Sequence, residues 1–229
     1  LPSTMPDANA ALRTFTAVAA PEATAAQQRY YGLLLPDALD DTRPLVLLIH
    51  GLDCNRAKWA PMAQALAAED HQVGYFTYPS DQSLPASAIL LADHMDALHQ
   101  AHPGLMVHLV AHSMGCLVAR QYVEADTYAG GVDRLIMIAP PNHGSDWAVL
   151  RAALEIDEHF GLWWNEPEWS WTWAITDGLG EAGADLDPES EFMQALNARP
   201  RRDGVRYTIL AGTDHPVTGV LGAMLTRTR

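Results

Sequence analysis

The chain has 229 residues, of which 48% are hydrophobic and 18% charged, with 16 Gly and 15 Pro; this is the balance of a packed globular protein and excludes disordered, collagen-like and other fibrous classes. Twenty-eight acidic residues against 14 basic give a formal charge of -14, which repels phosphate backbones and anionic surfaces, so no nucleic-acid partner is expected. No apolar run reaches the roughly 18 residues of a membrane-crossing helix, and no integral membrane segment is expected.

Residues 1–29 are rich in Ala, Thr and Pro without periodicity and read as an N-terminal extension. The core, expected over 30–229, begins with a strand over 30–35, followed by the polar turn 36–44 and the wholly apolar run 45–49. Further strand-length runs occupy 73–78, 106–111, 135–139 and 207–211. Helix-patterned segments at 56–69, 86–102, 114–124 and 188–197 fall between most of them. This alternation predicts an α/β fold, a mostly parallel sheet covered by helices on both faces, in which strands need not alternate polar and apolar residues. The stretch of about 148–185 breaks the rhythm. It carries five of the seven tryptophans among acidic residues, is too long for a simple connection, and reads as a cap or lid insertion. Eleven acidic residues and no Lys or Arg fall within 152–198, and Lys58 is the one lysine in the chain. A solvated acidic surface accounts for this on base rates, with adaptation to high salt as the sharper alternative.

Two cysteines, Cys54 and Cys116, are too few for a disulfide scaffold, and no Cys or His spacing reads as a metal site. Neither a metal nor another cofactor is expected. The first residue is Leu1, with no charged segment leading into an apolar one, which leaves bacterial cytoplasmic and secreted locations both open.

The most specific signal is Val107-His108-Leu109-Val110-Ala111-His112-Ser113-Met114-Gly115. A strand runs into a serine with small residues two before and two after, and a helix follows. This is the pattern of a nucleophile elbow, whose sharp turn lifts Oγ clear of the backbone and needs small flanking residues; Ala111 stands where Gly is usual. The second signal is the run Leu45 to Ile49 ending in His50-Gly51-Leu52, some 60 residues upstream. An oxyanion hole needs two backbone N–H groups aimed at one point. Met114, at a helix N-terminus, and Leu52 would supply them.

With these motifs the chain resembles the α/β-hydrolase fold and, within it, the bacterial lipases and GPI inositol-deacylase-like serine esterases. Residues 59–79 look like that group's first crossover helix and next strand, Ala139-Pro140-Pro141-Asn142-His143-Gly144-Ser145 resembles its Pro-His-x-Gly-Ser loop, and 185–197 resembles the segment before its late strand. The resemblance covers roughly 30–212. It implies Ser113 as nucleophile, Leu52 and Met114 as oxyanion donors, and a hydrophobic acyl ester as substrate. It places the acid after a late strand, which makes Asp214 the internal candidate, and the base histidine last in the chain. His215 sits badly for that role because it adjoins the acid, and the counterpart of His143 is structural by resemblance. His50 and His112 are expected to orient loops. The final strand and helix of the resemblance have no counterpart in this sequence, so a second polypeptide or a further tail carrying the C-terminal segment is expected to supply the base and perhaps the acid. Trp163 and Trp164 are substrate-contact candidates on the insertion, a cap with its own small core being the alternative reading. Cys54 and Cys116 fall in the two loops of the implied oxyanion hole; a disulfide and two buried free thiols are both open, with the thiols favoured. The expected function is a serine carboxylester hydrolase of lipase or esterase type, working through an acyl-enzyme on Ser113. The alternative is a catalytically impaired relative that binds lipid or a protein partner.

Overall fold

Leu45-Val46-Leu47-Leu48-Ile49 has no polar position, and the strand it forms is buried on both faces, as a central strand of a helix-covered parallel sheet must be. The computed structural model describes residues 31–52, 56–80, 82–145 and 181–212. Cys54, Trp163, Trp164, Asp214, His215 and the expected N-terminal extension lie outside them. Within them the strands are β1 (Gly32–Leu34), β2 (Leu45–Ile49), β3 (Gln72–Thr77), β4 (Val107–His112), β5 (Val132–Ile138) and β6 (Arg206–Leu210). They form one sheet in the order β1-β3-β2-β4-β5-β6. Short β1 runs antiparallel to β3, and every other neighbouring pair is parallel.

The helices are α1 (Ala60–Ala68), entered through a 3-10 turn at Arg56–Trp59, α2 (Leu84–Ala101), α3 (Met114–Val123), α4 (Glu181–Leu186) and α5 (Glu191–Ala198). Successive strand side chains point to opposite faces, so each central strand feeds two cores. Leu45, Leu47 and Ile49 of β2 join Leu109 and Ala111 of β4 and the apolar faces of α2 and α3. Val46, Leu48 and Val110 point the other way, where Trp59 and Ala63 cover them.

The structure departs from the expected element bounds for local reasons. The helix expected over 56–69 is a 3-10 turn followed by an α-helix with proline in its first turn, where the missing N–H costs nothing. Helix α2 starts two residues earlier than its pattern because Ser83 caps it, accepting from the Ala86 N–H at 3.4 Å. Strand β5 starts three residues earlier than its apolar run, taking in Asp133 and Arg134. Helix α4 went unpredicted. Its six residues, Glu-Ala-Gly-Ala-Asp-Leu, are too few to show a period, and all but Leu186 fall inside the expected insertion, yet Ala182 and Leu186 are buried in the main core. Asp185 explains the placement. Its Oδ2 accepts from the Leu84 N–H at 2.7 Å, a carboxylate on the positive end of α2, and its carbonyl accepts from the Ser190 hydroxyl at 2.8 Å. Among the described residues no helix is long and apolar enough to cross a membrane.

Candidate active site

From β2 the chain crosses to β3 on one side, and the later strands β4, β5 and β6 follow on the other. Such a reversal opens a crevice at the carboxyl ends of the two central strands, where open α/β sheets bind ligands. Register pairs Ile49 with Ala111, so His50-Gly51 and His112-Ser113 leave the sheet side by side at that crevice.

Ser113 adopts φ 50 and ψ -125, a conformation costing a non-glycine residue about 1–3 kcal/mol that persists only where the surroundings impose it. Here they do. The Ser113 N–H donates to the Ile138 carbonyl at 2.9 Å, and its own carbonyl accepts from the Cys116 N–H at 2.9 Å. The two loops also touch. A Cβ on Gly115 would sit 2.2 Å from the His50 carbonyl oxygen, and one on Gly51 would lie 3.0 Å from Ser113 Cβ. A backbone oxygen cannot yield as a side-chain tip can, so Gly115→Ala is expected to lose about 1–3 kcal/mol through overpacking. A urea melt checks this; an unchanged midpoint would mean that the loops part freely.

The Met114 N–H opens α3, where it has no intrahelical acceptor and lies at the positive end of the helix dipole. Leu52 follows Gly51 directly, so the structure brings the Leu52 segment and the Ser113-Met114 segment into contact. Below them, Cys116 is a buried free thiol donating to the Ala111 carbonyl at 3.2 Å. Burial pushes its pKa up to about 12, which leaves it inert as a nucleophile at neutral pH.

The histidines divide clearly. His50 is 3% exposed, and both of its ring nitrogens are engaged. Its Nε2 lies 3.3 Å from the Tyr78 N–H, which can only donate, so Nδ1 carries the proton and donates to the Gly51 carbonyl at 2.9 Å. Burial depresses its pKa, against the bond to Gly51, and keeps the ring neutral. His112 is half-buried and meets Trp59 edge-on at 6.5 Å between centroids. His143 is exposed on the loop after β5. Among the described residues no hydrogen bond joins the Ser113 hydroxyl to a histidine or a carboxylate.

The far side of the crevice is built by β5 and β6. Ala139 turns at φ 48 and donates its N–H to the Leu210 carbonyl at 2.8 Å, so β6 ends beside the end of β5. The 139–145 loop is held from α3. Arg120 donates through Nη1 to Asn142 Oδ1 at 3.0 Å and Asn197 Oδ1 at 3.1 Å. Through Nε and Nη2 it grips both oxygens of Glu124, at 3.2 and 3.1 Å. Neither Arg120 nor Glu124 was picked out by sequence, because an Arg and Glu four apart on a helix read as an ordinary surface pair.

The alpha/beta hydrolase fold family model matches residues 44–171. No curated protein matches the chain. Among solved structures, the mature form of the Bacillus licheniformis lipase BlEst2 aligns at a TM-score of 0.59 and 22% identity, covering 86% of this chain and 76% of that one. Its propeptide form aligns at 0.60 and 21%, covering 86% and 43%. At these identities the likeness is one of fold. The family match takes in more than half of the chain, including both strand-to-loop motifs of the crevice, and the chain belongs to the alpha/beta hydrolase fold family.

Proposed function

We propose that the chain is a serine carboxylester hydrolase of lipase or esterase type, acting on hydrophobic acyl esters. The observation that carries this reading is the strained backbone of Ser113 at a strand-to-helix turn, in contact with Gly51. Strain of this kind is kept where it serves a site. In the reaction, Ser113 Oγ attacks the ester carbonyl and its proton passes to a histidine, while the N–H groups of Leu52 and Met114 hold the oxyanion. Collapse of the tetrahedral intermediate breaks the bond to the alcohol, which leaves with that proton. Water then repeats the sequence and releases the acid. No cofactor enters.

The base in this reading is a histidine on a second polypeptide carrying a C-terminal segment or, within this chain, His215 with Asp214 as the acid. Exposed His143 is the remaining internal candidate. Trp163 and Trp164 contact the acyl chain in this reading. Support for the substrate class comes from the similar B. licheniformis protein, which is a lipase. A second reading, a catalytically impaired relative that binds lipid or a protein partner, is favoured by the lack of a histidine bonded to Ser113 among the described residues.

The two readings separate in one experiment. After incubation with a fluorophosphonate, the denatured intact mass is expected to show one adduct, which peptide mapping places on Ser113. An unmodified mass would sink the hydrolase reading and leave the binding one.

A further inference from the structure

We infer that His50 is a positioning residue that aims the Leu52 N–H at the oxyanion, by bonding the carbonyl of the same peptide unit. The inference rests on the hydrolase reading and deepens it. The Gly51 carbonyl and the Leu52 N–H belong to one planar unit, and no peptide bond among the described residues is cis. In a trans unit the two groups point in opposite directions. Whatever holds the Gly51 oxygen therefore sets where the Leu52 hydrogen points. The unit follows a glycine, the residue that least resists rotation of its neighbouring peptide, so it needs such a hold. His50 provides it through Nδ1–H, 2.9 Å from the Gly51 oxygen.

The imidazole is fixed in turn. The Tyr78 N–H, donating to Nε2 at 3.3 Å, keeps the proton on Nδ1; with the other tautomer two lone pairs would face each other at the Gly51 carbonyl. The Tyr78 ring stacks on His50 at 4.4 Å and 12°, and Phe76 stacks behind Tyr78 at 5.6 Å. The Tyr78 hydroxyl donates to the His50 carbonyl at 2.9 Å, pinning the preceding peptide unit as well. That carbonyl is the one against which Gly115 packs. One buried assembly at the ends of β2 and β3 thus orients both peptides around Gly51 and abuts the elbow. Donors fixed before charge develops do not have to reorganise during the reaction, which is what makes such a hole effective.

The test compares His50→Phe, His50→Asn and His50→Gln in steady-state hydrolysis of p-nitrophenyl butyrate, with urea melts to confirm folding. Phenylalanine keeps the stack and loses the donor. Asparagine restores an N–H near the Nδ1 position, and glutamine places one near Nε2. His50→Phe is expected to lower kcat by about 10²-fold, the scale of a lost oxyanion donor, with KM within about twofold, since the interaction is made in the transition state. His50→Asn is expected to recover about tenfold of that loss, and His50→Gln little. Folded His50→Phe with wild-type kcat overturns the inference. If His50→Phe does not fold, equal kcat for the Asn and Gln variants overturns it instead. Failure of the hydrolase reading is distinguishable, because the unmodified protein would then neither hydrolyse the ester nor take the fluorophosphonate.

Discussion

Ser113→Ala is expected to lower kcat for ester hydrolysis by at least about 10³-fold and to abolish the fluorophosphonate adduct, because no other group in the proposed reaction forms the acyl-enzyme. Its effect on folding is expected to be small. Alanine has the same Cβ constraint at φ 50, ψ -125, and no hydrogen bond of the Ser113 hydroxyl is lost among the described residues. Ser113→Gly separates the two roles of the position. It removes the nucleophile as fully, but glycine occupies this backbone region without the Cβ penalty, so guanidinium melts should show it about 1–3 kcal/mol more stable than Ser113→Ala. Equal midpoints would mean that the turn holds no strain. An adduct that persists in Ser113→Ala would move the nucleophile elsewhere.

The largest loss of stability is expected from Arg120→Met. The Glu124 side chain is 1% exposed and Arg120 11%, so removing the cation leaves a buried carboxylate without the guanidinium that grips both of its oxygens. Stranded charges of this kind cost about 3–5 kcal/mol, which for a chain of this size is a fall in Tm of roughly 6–20 °C. The same substitution frees Asn142 and Asn197 from the guanidinium. The 139–145 loop should then exchange its amide hydrogens faster, with Gly144 and Ser145 the sensitive reporters. The double variant Arg120→Met/Glu124→Leu tests the cause. Removing both charges is expected to restore most of the Tm, since a buried pair contributes little beyond its own desolvation. A double variant as unstable as the single would assign the cost to the lost bonds of Asn142 and Asn197.

Functional residues and fold differ in how far they can be read from sequence. The strand ending at His112 and the serine after it were legible because a nucleophile elbow is a local object, in which strand, small residues and helix adjoin. His50-Gly51 was legible only in company, as the second strand end that an oxyanion hole requires. Tyr78 escaped notice. Its three bonds and contacts to His50 join positions 28 residues apart, and nothing in the run from Val73 to Tyr78 separates a residue that orients a catalytic loop from one that fills a core. The general base was not legible in the same way, and the candidates Asp214 and His215 lie outside the described residues.

By itself the sequence determined the class and direction of the fold: alternating strand and helix periods, the apolar run of β2, and the two strand ends that carry small residues beside His50 and Ser113. These depend on period and turn chemistry, which a few neighbouring residues set. The tertiary structure alone decided that β2 lies between β3 and β4, that Gly115 faces the His50 carbonyl, that α4 belongs to the core, and that Glu124 is buried against a partly covered Arg120. Burial and pairing depend on what packs against a residue from distant parts of the chain, and an Arg and Glu one helical turn apart have the same local sequence in water and in a core.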